Sequence, residues 1–171
     1  QKIAAVLSAL DAKIDLNNRI NAQLEAMAKS LYDYWFIQFD FPDEKGRPYK
    51  SSGGKMVYNK QLKRKIPEGW KVKTLSDIAK ITMGQSPVGS SYNEIGEGEI
   101  FFQGATDFGS RFPTIRQYTT QPKRMANAGD ILLSVRAPVG TLNIADNDCC
   151  IGRGLAALRS KQGCDCYLFN V

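Results

Sequence analysis

The sequence predicts an α+β protein: a long N-terminal coiled-coil helix followed by a mixed, mostly β domain. Three observations predict it. Residues 1–39 carry an apolar seam at heptad spacing, with no Pro or Gly before Pro42. Residues 40–66 are rich in Gly, Pro, Ser and Lys, the composition of a solvated basic linker with room for a short hairpin. Residues 67–171 hold strand-length apolar runs punctuated by Gly and Pro.

The seam comes first. Ile3, Leu7, Leu10 and Ile14 alternate steps of four and three, and Leu24, Ala28, Leu31 and Trp35 resume them. Asn17 and Asn21 interrupt the seam. A buried amide wants another amide opposite, so these two are expected to set register or partner choice, with simple exposure as the alternative. At about 1.5 Å per residue the rod would be roughly 55 Å long. Nothing else on the segment can cover the stripe. Ile3, Leu7, Leu10, Ile14, Asn17, Asn21, Leu24, Leu31 and Trp35 are therefore the expected interface with a partner helix. The aromatic stretch from Leu31 to Phe39 is expected to close the rod's end against the next domain, with base stacking as the sharper alternative.

In the β-rich part, Ile66-Pro67-Glu68-Gly69-Trp70 reads as a turn, and Trp70–Lys73 as a short strand. Thr74 or Ser76 can cap a helix over 75–81. Gly84–Ser91 is a polar loop. Further strands are expected at Glu99–Gln103, Pro113–Tyr118, Ile131–Val135, Thr141–Ala145, Cys149–Ile151 and Leu155–Leu158.

Net charge is +6, but it is unevenly placed. Residues 1–41 carry 4 positive and 5 negative side chains, residues 42–73 carry 10 and 3, and residues 74–171 carry 9 and 9. A basic balance favours a polyanionic partner, and here it belongs to the linker. The four cysteines stand as Cys149-Cys150 and Cys164-x-Cys166, spacings too tight for paired zinc thiolates. They are expected to be small buried hydrophobes in a reducing compartment. No apolar run reaches the roughly 18 residues that span a bilayer, and no leader suggests export, so a cytoplasmic chain is expected. The chain begins inside the helix and stops after an apolar run, as a piece of a longer protein would.

Much chemistry is missing. There is no histidine, so His-dependent triads and His metal clusters are excluded. There is no P-loop, no Pro-Pro of the amino-methyltransferase motif, and no paired carboxylates to seat a hydrolase. A binding module is the reading left. Base reading needs amides or bidentate donors on loops. Gln85, Ser86, Ser90, Ser91 and Tyr92 sit in one such loop, and Gln103, Thr106, Asp107 and Arg111 near another. Lys123 and Arg124 are candidate phosphate contacts, and Arg136 joins the candidate DNA-binding set.

Several segments together resemble a known family. The rod through Leu31-Tyr32-Asp33-Tyr34-Trp35-Phe36, the adjoining Phe39-Asp40-Phe41-Pro42, and Ile66-Pro67-Glu68-Gly69-Trp70 with Leu75-Ser76-Asp77-Ile78 carry the likeness. So do Gly84-Gln85-Ser86-Pro87, Ile100-Phe101-Phe102, the run from Gly129 to Gly140, and Cys150-Ile151-Gly152-Arg153-Gly154. They resemble the specificity subunit of type I restriction–modification systems, in order as well as in content. The resemblance implies a conserved helix over 1–39, a linker over 40–66 and an incomplete target recognition domain over 67–171. It implies a non-catalytic subunit that reads double-stranded DNA. The helix would act as spacer and docking arm for methylation subunits, and the restriction subunit would join through the complex. S-adenosylmethionine, ATP and Mg would belong to those partners, leaving this chain without cofactor or metal. It further implies structural or phosphate-contacting roles for Arg136 and Arg153. A homodimer through the helix is one arrangement open to such a piece. A helical adaptor whose globular head binds protein rather than DNA is the alternative.

Overall fold

A computed structural model describes residues 2–171. The chain divides into two compact units, one up to Val72 and the other from Lys73.

In the first unit, helix α1 (Lys2–Tyr32) runs without a break and continues through one π-helical turn, Asp33–Ile37. Its composition suits this: Ala and Leu are its commonest residues, and Lys29 complements the C-terminal end of the helix dipole. Phe39 ends the helix in the left-handed region, at φ 66°, and is itself buried. A bulky residue holds that conformation only where its surroundings enforce it. Here the enforcement is aromatic. Trp70 packs its ring against Phe36, Phe39 and Phe41, at centroid distances of 6.1, 5.5 and 5.3 Å, and Tyr49 stacks on Phe41 at 4.7 Å. Next to Phe39, the Asp40 carboxylate accepts both the N–H and the hydroxyl of Ser51, each at 2.7 Å. These bonds hold its pKa below the usual carboxylate value.

Strands β1 (Met56–Asn59) and β2 (Arg64–Pro67) form an antiparallel hairpin, with Tyr58 opposite Lys65. The strand expected at Trp70–Lys73 is absent: the ladder stops at Pro67, and Trp70 turns away to join the ring cluster. The aromatic end of the rod, expected to close against the next domain, closes instead within the first unit, on Phe41, Tyr49 and the central ring of Trp70.

The second unit opens on α2 (Leu75–Ile78), capped at Thr74. The Asp77 carboxylate accepts the Thr74 N–H at 2.7 Å and its hydroxyl at 2.8 Å. The helix expected to reach Ile81 stops at Ile78. Residues Ala79–Met83 instead form β3, because a longer strand downstream offers them a continuous ladder. The remaining strands are β4 (Tyr92–Asn93), β5 (Glu99–Phe102), β6 (Tyr118–Thr119), β7 (Met125–Ala126), β8 (Ile131–Ser134), β9 (Leu142–Ile144), β10 (Cys149–Ile151) and β11 (Leu155–Ser160). A short helix α3 (Asp165–Leu168) comes last. They make two sheets, ordered β4-β6-β5-β10-β7 and β3-β11-β8-β9. Of the strand expected over Pro113–Tyr118 only its end forms. Pro113 makes one isolated bridge with Phe108, and the ladder begins at Tyr118.

The core obeys the period-two rule. In β8, Leu132 joins Phe102, Cys149, Ile151, Leu155 and Ala157 in the main cluster. Its neighbour Ile131 points to the other face, into a second cluster with Ala79, Leu158 and Leu168. A strand covered on both faces reads as a continuous apolar run, which is why Ile131–Leu133 is legible as buried. Cys149 and Cys150 are fully buried, and burial pushes the Cys149 thiol up to about 12. Cys164 and Cys166 break the expectation for all four cysteines: both are exposed, in the turn leading into α3 and at its start. None of the described helices is long and apolar enough to cross a membrane.

Candidate nucleic-acid interface

The second unit gathers its polar loops around one tight turn, Gly152-Arg153-Gly154, between β10 and β11. The Gly152 N–H donates to Phe102 O at 2.8 Å and the Gly154 N–H to Gln103 O at 3.2 Å, which ties in the end of β5. The Gln85 N–H donates to Ile151 O and the Gly84 N–H to Leu155 O, both at 2.9 Å, which ties in the loop after β3. The Val135 N–H donates to Gly154 O at 2.9 Å, which ties in the loop after β8.

The glycines are required by this crowding. A Cβ on Gly152 would lie 2.7 Å from Gln103 Oε1, and one on Gly154 would lie 2.7 Å from Gln103 O. Backbone can approach this closely only where the side chain is hydrogen. The space so released is filled by the Gln103 amide. Ser86 Oγ lies 3.1 Å from its Oε1 and 2.9 Å from its Nε2, and also accepts the Arg153 N–H at 3.2 Å.

In front of this knot, Gln103, Gly104, Ala105, Thr106, Ser134, Arg136, Ala137, Pro138 and Gly154 line a cleft of about 270 Å³. The Ser134 hydroxyl is bonded to Arg136 O at 2.8 Å and to Pro138 O at 2.7 Å, so the Arg136 loop is braced from beneath. Gln103, Thr106 and Arg136 are exposed there. A pre-oriented amide, a hydroxyl and a guanidinium at one cleft can pair with base edges and phosphates.

The other candidates divide. Gln85 and Ser90 are exposed. Ser91 is not a surface group: it is buried, with its hydroxyl on Val88 O at 2.6 Å and on Thr119 Oγ1 at 2.8 Å. Tyr92 is half-buried, donates its hydroxyl to Pro87 O at 3.0 Å and stacks on Phe101 at 4.7 Å. Both anchor the loop that bears Ser90, because a polar loop folded over a strand edge must satisfy its inner groups internally. Asp107 accepts from Arg116 Nε at 2.8 Å, and that carboxylate raises the Arg116 pKa. Arg111 lies 5.6 Å over the Phe169 ring, and Asn143 holds its loop through a 2.9 Å bond to Gly109 O. Lys123 and Arg124 are exposed just before β7. Sequence reasoning missed Ser134, Pro138, Gly152 and Gly154 as parts of the cleft and its floor. The paired glycines around Arg153 were the available signal. Among the described residues no three His, Cys, Asp or Glu side chains come together as a metal site.

On the first unit, the seam residues Ile3, Leu7, Leu10, Ile14, Asn17, Asn21, Leu24 and Leu31 are all exposed, and Trp35 is half-buried.

The chain as a whole has known relatives. Residues 67–170 match the type I restriction modification DNA specificity domain. The chain therefore belongs to that family of specificity proteins. It is 39% identical, over 95% of its length, to a Methanocaldococcus jannaschii protein assigned as the type I restriction enzyme MjaX specificity subunit. It is also 48% identical over 40 residues to the HindI specificity subunit of Haemophilus influenzae, covering 23% of this chain and 9% of that one. Its structure is similar to the crystal structure of the HsdS subunit from Thermoanaerobacter tengcongensis, with TM-score 0.59, 35% identity, and coverage of 99% of this chain and 40% of that one. A chain from a structure on assembly and conformational transition of the type I R-M system gives TM-score 0.55 and 37% identity, covering 93% of this chain and 36% of that one. The chain spans 36% of the length of the MjaX relative.

Proposed function

We propose that this chain recognises a DNA sequence as the non-catalytic specificity subunit, or part of one, of a type I restriction–modification complex. The observation that carries the reading is the convergence of Gln103, Thr106 and Arg136 on one cleft, held from beneath by Gly152-Arg153-Gly154. Gln85 and Ser90 on the neighbouring loop, with Lys123 and Arg124, extend the DNA-facing set. Gln103 keeps a second amide N–H and a second oxygen lone pair beyond its bonds to Ser86, and Arg136 suits a phosphate.

The second part of the reading concerns α1. Its uncovered seam of Ile3, Leu7, Leu10, Ile14, Leu24 and Leu31 supports packing against another helix, as the spacer and docking arm of the complex. The methylation subunits are the partners, with the restriction subunit joining through them. S-adenosylmethionine, ATP and Mg act on those subunits. A homodimer of this chain through α1 would supply a second recognition domain. The place of action is the cytoplasm, where the DNA is.

The test is a methylome. This chain is co-expressed with its methylation subunit in a host lacking the system, and N6-methyladenine is mapped by single-molecule sequencing. A new motif, absent with the methylation subunit alone and lost with Gln103→Ala or Arg136→Gln, is the expected result. A palindromic motif would mark a symmetric dimer. No motif from a soluble, co-purifying pair would remove DNA reading from this piece. Failure to co-purify would favour the adaptor alternative.

A further inference from the structure

The positive charge of residues 42–73 is divided by the fold between the β1–β2 hairpin and the segments around it, where Lys45, Lys50, Lys71 and Lys73 are also exposed. Lys55 is matched by Glu68 at 2.6 Å and Arg47 by Asp43 at 3.0 Å. Arg64 turns inward, with its guanidinium 4.7 Å over the Phe39 ring and a 2.9 Å bond to Ile37 O. What remains on the β1–β2 hairpin is Lys60, Lys63 and Lys65, all exposed. None of the three has an acidic partner within 4.0 Å among the described residues.

The hairpin presents these lysines in a fixed way. Asn59 Oδ1 accepts the N–H groups of Gln61 at 2.9 Å and Leu62 at 3.0 Å, which shapes the turn, and Lys63 takes a left-handed φ of 51°. Lys60 and Lys63 thus stand on the turn. Lys65 lies opposite Tyr58 on the outer face of the ladder, where the tyrosine is 62% exposed. Arg64 and Ile66 occupy the other face.

We propose that this hairpin is a sequence-independent contact to the DNA backbone, separate from the cleft of the second unit. The inference rests on the reading that the chain binds DNA. Lysine ammoniums are compact point charges that meet phosphates without the planar fork that reads guanine. Duplex DNA carries about one charge per 1.7 Å of axis, so a lysine-tipped turn meets several phosphates whatever the sequence. Tyr58 beside Lys65 supplies a flat surface for a sugar.

The test uses the full chain in complex with its methylation subunit, unmodified or as Lys60→Gln/Lys63→Gln/Lys65→Gln. Affinity is measured for a duplex bearing the methylated motif and for an unrelated duplex, across about 50–200 mM salt. The expected variant binds both duplexes more weakly by the same factor. Its slope of log affinity against log salt is shallower by about 2–3, and its methylated motif is unchanged. Lys60→Gln alone should remove about one third of that change, and matching melting curves confirm that the variants fold. An unchanged slope overturns the proposal. An unchanged slope with loss of the methylation subunit also overturns it and makes the hairpin a protein contact. An unmodified complex that binds neither duplex overturns the DNA reading itself, which keeps the two failures apart.

Discussion

In α1 the side chains of Ile3, Leu7, Leu10, Ile14 and Leu24 are each more than half exposed, whereas Leu132, Ile151 and Leu155 of β8, β10 and β11 have almost no exposed surface. The amino-acid types are the same and the local order is equally regular. What differs is the source of the apolar cover. In the second unit the two sheets and α3 supply it, through the clusters around Leu132 and Ile131. Burying such a side chain contributes about 1.5–3 kcal/mol. In the first unit the aromatic cluster around Trp70 closes on itself, and the seam of α1 stays exposed. A folded core and an incomplete one thus share a single chain.

The largest effect that separates them is a pair of matched truncations. Leu132→Ala should cost about 2–5 kcal/mol in urea unfolding monitored on the second unit. Leu24→Ala should leave that transition in place and weaken association, read by sedimentation velocity with the methylation subunit. Equal shifts of the unfolding midpoint would erase the distinction.

A smaller effect tests the glycine turn inside the well-packed unit. Gly152→Ala should destabilise by about 1–3 kcal/mol, because its new methyl meets Gln103. Part of that clash is with the side-chain amide, so Gln103→Ala should restore some of the loss. Gly154→Ala meets the Gln103 carbonyl oxygen, part of the backbone, and the same second substitution should not rescue it. Rescue of both, or of neither, would mean that the Gln103 side chain is not what fills the space over Gly152.

The smallest effect belongs to the first unit. The Ser51 hydroxyl and N–H hold the Asp40 carboxyl below its ordinary value. A carboxyl with a lower pKa folded than unfolded stabilises the fold above its unfolded value of about 4. That contribution disappears as pH falls through the folded value. The melting temperature read by tryptophan fluorescence should therefore drop as pH falls below about 4, and Ser51→Ala should flatten the drop. An identical pH profile in the variant would remove Ser51 as the cause.

The legible parts of the molecule are those set by spacing along the chain. The rod, expected over residues 1–39 and found from Lys2 to Ile37 among the described residues, could be read because heptad steps without Gly or Pro favour a helix whatever surrounds it. Ile131–Leu133 and Cys149–Ile151 could be read as strands because both their faces are apolar and glycine turns bound them. Polar side chains on loops, read together with the resemblance, brought Gln103, Thr106 and Arg136 into the candidate set. The same reasoning brought in Ser91 and Tyr92, whose polar groups the fold uses internally.

Sequence by itself therefore determined the helix, the places of the main strands along the chain and the absence of histidine chemistry, since these depend on residue type and near neighbours. Tertiary structure alone decided the rest. Ala79–Met83 became a strand because β11 was there to pair with it. Trp70 left its expected strand because Phe36, Phe39 and Phe41 offered it rings. Gly152 and Gly154 became the floor of a cleft because Gln103, some fifty residues earlier in the chain, lies against them. Each of these outcomes is a competition between local preference and a contact distant in sequence, and only the folded chain contains the second competitor.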